Sequence, residues 1–84
     1  MIEVLYFARL REQVGRDRES MPLPPGVVTL GDLTAHLCTR GNAWADVFGG
    51  GQRVMMAVNQ EVARRETVLR DGDEVAYFPP VTGG

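Results

Sequence analysis

The sequence predicts an α+β domain in which one principal helix lies across a small mixed sheet. Within 84 residues the chain reads strand, strand, helix, strand, short strand, strand. A single amphipathic segment is long enough to be the main helix. The first and last strands are the most apolar and are therefore expected side by side in the middle of the sheet. A chain of this size buries somewhat more than ~60% of the surface its unfolded form exposes, so a core is feasible without staples. Its 44% hydrophobic and 24% charged residues suit a compact soluble domain.

"IEVLYFA", Ile2 to Ala8, is dense in β-branched and aromatic residues and reads as a central strand covered on both faces or nearly so. In "RLREQVG", Leu10 and Val14 stand four apart on one side of a short helical turn that Gly15 can end. "RDRES" reads as a polar turn, and the three prolines of "MPLPPG" confine any strand there to a short piece at a sheet edge, antiparallel to the first strand. "VTLGDLTAHLCTRG" places Leu30, Leu33 and Leu37 at helical spacing, with Thr29 as N-cap, Asp32 in the first turn and Gly41 just past the end. "NAWADVF" can hold one more helical turn before three glycines open a mobile loop. Strand character returns from Arg53 to Val58, "NQEVA" makes a tight turn into a short strand around Val62, and "DGD" turns the chain into a last strand, Glu74 to Phe78.

The net charge of -2 with scattered basic residues lacks the footprint of a nucleic-acid binder. All the basic residues are arginine, which leaves the amino group of Met1 as the only amine, so the chain can donate an acyl group more easily than accept one. One cysteine forms no internal disulfide, one histidine supplies no tetrahedral zinc set, and a reducing compartment fits best. The first residues carry no cleavage signal and no apolar run approaches the ~18 residues of a membrane span, so the cytoplasm is the expected location.

The usual catalytic residue types do not converge. His36 has no nucleophile paired with it and reads as a surface or packing residue, and Cys38 reads as a buried or half-buried thiol. Gly49 to Gly51 are not followed by the Lys-Ser/Thr of a phosphate loop and read as a flexible connector. Asp71 to Glu74 lack the ligand spacing of a calcium loop and read as a turn. Met55 and Met56, adjacent in a strand, are core filler on one side and sheet surface on the other. By the same alternation, Tyr77 and Phe78 cannot both face the helix.

The C-terminal "YFPPVTGG" carries a functional reading. Glycine averages about 7% of residues, so two at the end of a chain are expected by chance in roughly one chain in two hundred. Pro79 and Pro80 end the ladder and stiffen an extended exit, and six extended residues reach about 20 Å, enough to enter a deep pocket on another protein. Only a backbone-thin thread follows a narrow channel. The reacting atom would be the carboxyl carbon of Gly84. Ionised at neutral pH, it is a poor electrophile and needs nucleotide-dependent adenylation.

"YFARLRE" at Tyr6 to Glu12, "AVNQ" at Ala57 to Gln60 and "DGDEVAYFPPVTGG" at Asp71 to Gly84 together resemble the small, sulfur-carrier subunits of molybdopterin synthase. The resemblance spans the whole chain. It implies a ubiquitin-like β-grasp domain over 1-78 and an extended tail over 79-84. It also implies that an ATP-using adenylating enzyme of the ubiquitin-activating type acts on Gly84, which sulfur then converts to a thiocarboxylate. The synthase large subunit, in a heterotetramer of two small and two large chains, would take the tail into its active site, where the sulfur passes to cyclic pyranopterin monophosphate. Gly84 would bear the sulfur, Gly83 would keep the thread thin, and Pro79, Pro80, Val81 and Thr82 would line the partner's channel. Phe7 and Phe78 match docking aromatics of that family, and Val62 falls where a larger aliphatic residue is common. No cofactor or metal is expected on this chain, and ATP belongs to the activating enzyme. On this reading the chain is a sulfur-donating subunit and not an enzyme alone. A sulfur carrier for thiazole synthesis and a β-grasp interaction module without sulfur chemistry are the alternatives.

Overall fold

The structure is a computed structural model that describes residues 1–80. Its elements run β1 (Ile2–Tyr6), α1 (Ala8–Val14), β2 (Arg18–Met21), α2 (Leu30–Cys38), α3 (Ala43–Phe48), β3 (Met55–Val58), β4 (Glu61–Val62) and β5 (Glu74–Phe78). The five strands form one sheet in the order β2-β1-β5-β3-β4. β1 and β5 pair in parallel, Glu3 opposite Glu74 through Tyr6 opposite Tyr77, and the remaining pairs are antiparallel. The sheet is mixed and its first and last strands are neighbours, as the apolar runs predict.

Strand alternation sends Ile2, Val4 and Tyr6 of β1 and Val75 and Tyr77 of β5 to one face, where all five are at most 1% exposed. Against them pack Leu30, Leu33 and Leu37, the stripe of α2. The start of α2 follows from its sequence. The Thr29 side chain accepts from the Asp32 amide at 3.2 Å, and the Asp32 carboxylate accepts from the Thr29 amide at 3.1 Å, a reciprocal capping box. The Val28 amide also donates to the Asp32 carboxylate, at 3.0 Å, and together with the Thr29 amide holds that carboxyl below the usual range. Burying three leucines stabilises by about 2 kcal/mol each, well beyond what helix propensity supplies to nine residues.

Turn chemistry fixes the other boundaries. Gly15 takes φ 78 and its amide closes α1 on the Arg11 carbonyl at 3.0 Å. Asn59 and Gln60 sit at φ 50 and φ 70 between β3 and β4, the left-handed pair that suits a two-residue hairpin turn. The Asn59 side chain also donates to Asp73 and accepts from the Glu74 amide, both at 3.0 Å, which ties this turn to the start of β5. At Gly49 a Cβ would fall 2.4 Å from the Ala45 carbonyl oxygen, so the first of the three consecutive glycines is required for the close of α3 and is more than a connector.

Three expectations need correction. The edge strand next to β1 lies on Arg18–Met21, mostly in the segment read as a polar turn, and ends on the first residue of the proline stretch, ahead of all three prolines. Its placement is set by a tertiary network rather than by local propensity. Glu19 accepts both Nη groups of Arg40, at 2.8 and 2.9 Å, and the Tyr6 hydroxyl donates to it at 2.8 Å. The Arg40 guanidinium lies 4.5 Å from the Trp44 ring centre, and that ring meets Tyr6 edge-on. β1 is covered on one face only, for Glu3 and Leu5 remain half-buried on the other. The strand after the glycines begins at Met55, two residues later than read, and α3 joins α2 over the core. Among the described residues no helix is long and apolar enough to cross a membrane.

The bidentate Arg40 guanidinium, helped by the Tyr6 hydroxyl, holds the Glu19 carboxyl below the usual carboxylate range. A depressed folded-state pKa gives stability that is fully present above the unfolded value near 4.3 and is lost as pH falls through the lower folded one. Glu19→Gln is therefore expected to destabilise the domain by about 2 kcal/mol at pH 7. Denaturant titrations of the two proteins should draw together as pH falls from about 4.3 through the lower folded-state value, and a gap that persists at low pH would assign the loss to packing instead.

Candidate functional site

The sheet has a second face on which none of the core leucines packs, and its composition is set by register. Leu5 pairs with Ala76, Ala76 with Ala57, and Ala57 with Val62, so four apolar residues form one row across four strands. The next row toward the end of β5 holds Met55 opposite Phe78. Phe7 continues the β1 ladder, its amide donating to the Tyr77 carbonyl at 3.1 Å, and by alternation it shares the face of Leu5 beside Phe78. Two alanines at the centre of larger side chains make a shallow apolar trough.

The trough is accessible. Phe7 is 47% exposed and Val62 73% exposed, while Leu5, Met55, Ala76 and Phe78 are half-buried. Apolar side chains gathered on one exposed sheet face mark an interaction surface. At the other end of the same face the chemistry changes. Glu3 lies opposite Ser20 and Glu74, accepts from the Ser20 hydroxyl and from Arg18 at 3.1 Å, and is held below its usual pKa by those two partners in that order. The apolar end is the one from which Pro79 and Pro80 leave β5, both half-buried.

Tyr77 explains why Phe78 is presented. Its side chain is fully buried, its ring stacks on Tyr6 at 6.2 Å and meets Phe48 edge-on at 4.8 Å, and its hydroxyl lies 2.9 Å from Thr34 Oγ1 on α2. Burial pushes that phenol well above its ordinary pKa. With Tyr77 held in the core, the next residue must point away. Phe7 is placed by the same logic after buried Tyr6, and Ala8 at φ 53 then turns the chain off the sheet into α1, which buries Leu10 on the core side.

Of the expected site residues, the structure brings Phe7, Phe78 and Val62 onto one face with Pro79 and Pro80 at its edge. Val81, Thr82, Gly83 and Gly84 lie outside the described residues. Sequence reading missed Leu5, Ala57 and Ala76 as members of the face. Their signal was available in strand alternation, but it needed the register to become a row. His36 and Cys38 are half-buried on α2, and Cys38 borders a cleft of about 420 Å³ between α2, α3 and β3. Among the described residues no group of three or more potential metal ligands is assembled.

Fold and face together define a ubiquitin-like β-grasp protein whose apolar sheet surface adjoins its C-terminal exit. Comparison with known proteins agrees with the fold and gives the family. The crystal structure of SAMP1 from Haloferax volcanii superposes with a TM-score of 0.76 at 32% identity, covering 99% of this chain and 98% of that one. The model of the ThiS family matches residues 4–84. The molybdopterin synthase sulfur carrier subunit of Escherichia coli is 42% identical over 84 residues, and that of Haemophilus influenzae 38%, each covering 100% of both chains. The chain belongs to this family of sulfur carrier subunits.

The two adjacent aromatics of β5 are expected to respond oppositely to truncation. Tyr77→Ala should cost roughly 3–5 kcal/mol, as for a large core residue. Phe78→Ala should cost about 1 kcal/mol or less, because its ring is only half-buried. Chemical denaturation of both variants checks this, and equal losses would contradict the two-faced assignment.

Proposed function

We propose that this chain is a sulfur carrier that works as the small subunit of molybdopterin synthase. Its tail delivers sulfur, as a thiocarboxylate on Gly84, to cyclic pyranopterin monophosphate in the large subunit. The observation that carries the reading is the adjacency of an exposed apolar trough and a proline-stiffened exit at one end of a single sheet. Docking through the trough aims the tail in a fixed direction. Phe7, Phe78 and Val62 supply the apolar contact, and aromatic anchors of this kind carry much of the energy of an interface. Pro79, Pro80, Val81 and Thr82 then occupy the channel, and Gly83 lets Gly84 reach the reaction site.

The chemistry requires activation because a carboxylate resists nucleophiles. A Gly84 carboxylate oxygen displaces pyrophosphate from ATP on an adenylating enzyme of the ubiquitin-activating type, and a sulfur nucleophile then displaces AMP to leave the thiocarboxylate. On this reading the catalytic groups for such steps belong to the partners. The chain contributes a rigid grip and a slender terminus, binds no cofactor of its own, and works in the cytoplasm within an assembly of two small and two large subunits. The ThiS description suits a carrier for either cargo. The full-length relatives named for molybdopterin synthase favour the pyranopterin over a thiazole precursor.

Removal of Gly83 and Gly84 is expected to abolish pterin product in a synthase reconstituted with its large subunit, while leaving the thermal transition unchanged. Retained activity would refute the carrier role. Phe78→Ala should weaken binding to the large subunit by about 2 kcal/mol, roughly 30-fold in Kd. Tandem mass spectrometry of the tryptic peptide after Arg70 should place the sulfur on Gly84 after incubation with the adenylating enzyme, ATP and a sulfur donor. That peptide holds no Met or Cys whose oxidation would mimic the mass change.

A further inference from the structure

β4 carries Val62 onto the docking face with little of its own to hold it there. It is two residues long, lies at the edge of the sheet and pairs with β3 alone. A hairpin arm this short is marginal by itself. The turn that leads into it adds a cost, because neither Asn59 at φ 50 nor Gln60 at φ 70 is a glycine. Weakly held edges open and close within an otherwise folded domain. A partner that must first order Val62 gains less from touching it.

The Asn59 side chain counters this by reaching out of its own hairpin. Its Nδ2 donates to Asp73 Oδ1 and its Oδ1 accepts from the Glu74 amide, both at 3.0 Å, while its backbone amide donates to the Glu74 carbonyl at 2.8 Å. Asp73 is itself anchored. Its Oδ2 accepts from the Arg70 amide at 2.8 Å, and its carbonyl accepts from the Glu3 amide at 3.0 Å. The β3–β4 turn, the turn before β5 and the start of β1 therefore meet at one clasp. An amide side chain suits the position because it donates and accepts at once, and asparagine tolerates the left-handed backbone. We propose, resting on the docking reading above, that Asn59 is a positioning residue for the large subunit. Clasped to Asp73 and Glu74, it holds β4 so that Val62 stands ready in the row of Ala57 and Ala76. Asn59 lies beside the start of β5, at the end of the sheet away from the tail, and acts on binding through Val62.

Asn59→Gly keeps the left-handed backbone accessible and removes the clasp. Binding to the large subunit is measured by calorimetry, at a temperature well below the melting transition of each variant. Val62→Ala is expected to raise Kd about fivefold. Asn59→Gly should also raise it about fivefold, both alone and in a Phe78→Ala background, but by less than about twofold once Val62→Ala has removed the side chain that the clasp positions. A second test does not depend on Asn59→Gly folding. Asn59→Asp sets two carboxylates against each other and should weaken binding by a similar factor. Adding Asp73→Asn restores the bond with its direction reversed and should bring Kd back to within about twofold of wild type. An unchanged Kd for Asn59→Gly, an equal loss in the Val62→Ala background, or no recovery in the exchanged pair would overturn the assignment. If Phe78→Ala and Val62→Ala themselves leave Kd unchanged, the docking reading fails, and this inference with it.

Discussion

The parallel pairing of β1 with β5 is the constraint on which the rest depends. It joins the two most apolar strands in the body of the sheet, although nearly the whole chain separates them in sequence. The register of that one pair stacks Tyr6 on Tyr77 in the core. It also brings Phe7 alongside Phe78 on the outer face and puts the start of β1 and the end of β5 at opposite ends of the sheet. A slip by one residue would exchange the faces of every side chain in β5, putting Phe78 into the core and Tyr77 into water. The hydroxyl contact between Tyr77 and Thr34 and the fully buried positions of Val75 and Tyr77 resist that slip.

The result is a sheet with two unlike faces. One is dry and aromatic, held by α2 and α3 and tied at its edge by the Tyr6–Glu19–Arg40 network. The other is a shallow apolar trough at the tail end and charged at the far end. That polarity along the strands gives a docking partner both a place to bind and a direction. It also separates the duties of neighbouring residues, because Tyr77 stabilises the domain and Phe78 is left available to a partner.

Legibility in the sequence varied with the range of the interaction. The cap of α2, the closing glycine of α1, the Asn59–Gln60 turn and the limits of β5 are decided by residues a few positions apart, and each was readable. β2 was not. Arg18, Glu19 and Ser20 look like a polar turn because nothing local recommends a strand. They become one because Met21 and Glu19 meet β1 and because Glu19 finds Arg40, which lies 21 positions away along the chain. Gly49 was misread for a related reason, since the carbonyl it must clear belongs to the last turn of a helix whose end was not yet placed.

By itself the sequence determined the periodicities, the caps, the family likeness and the chemistry available to a carboxyl on a thin glycine terminus. These depend on residue identity and short-range geometry. Only the tertiary structure decided which of two neighbouring rings is offered to a partner, and that Leu5, Ala76, Ala57 and Val62 form a single row. It also decided that the start of β1 and the end of β5 lie at opposite ends of the sheet. Each of these follows from strand register, a choice made by burial across the whole sheet and therefore invisible in any short stretch of the chain.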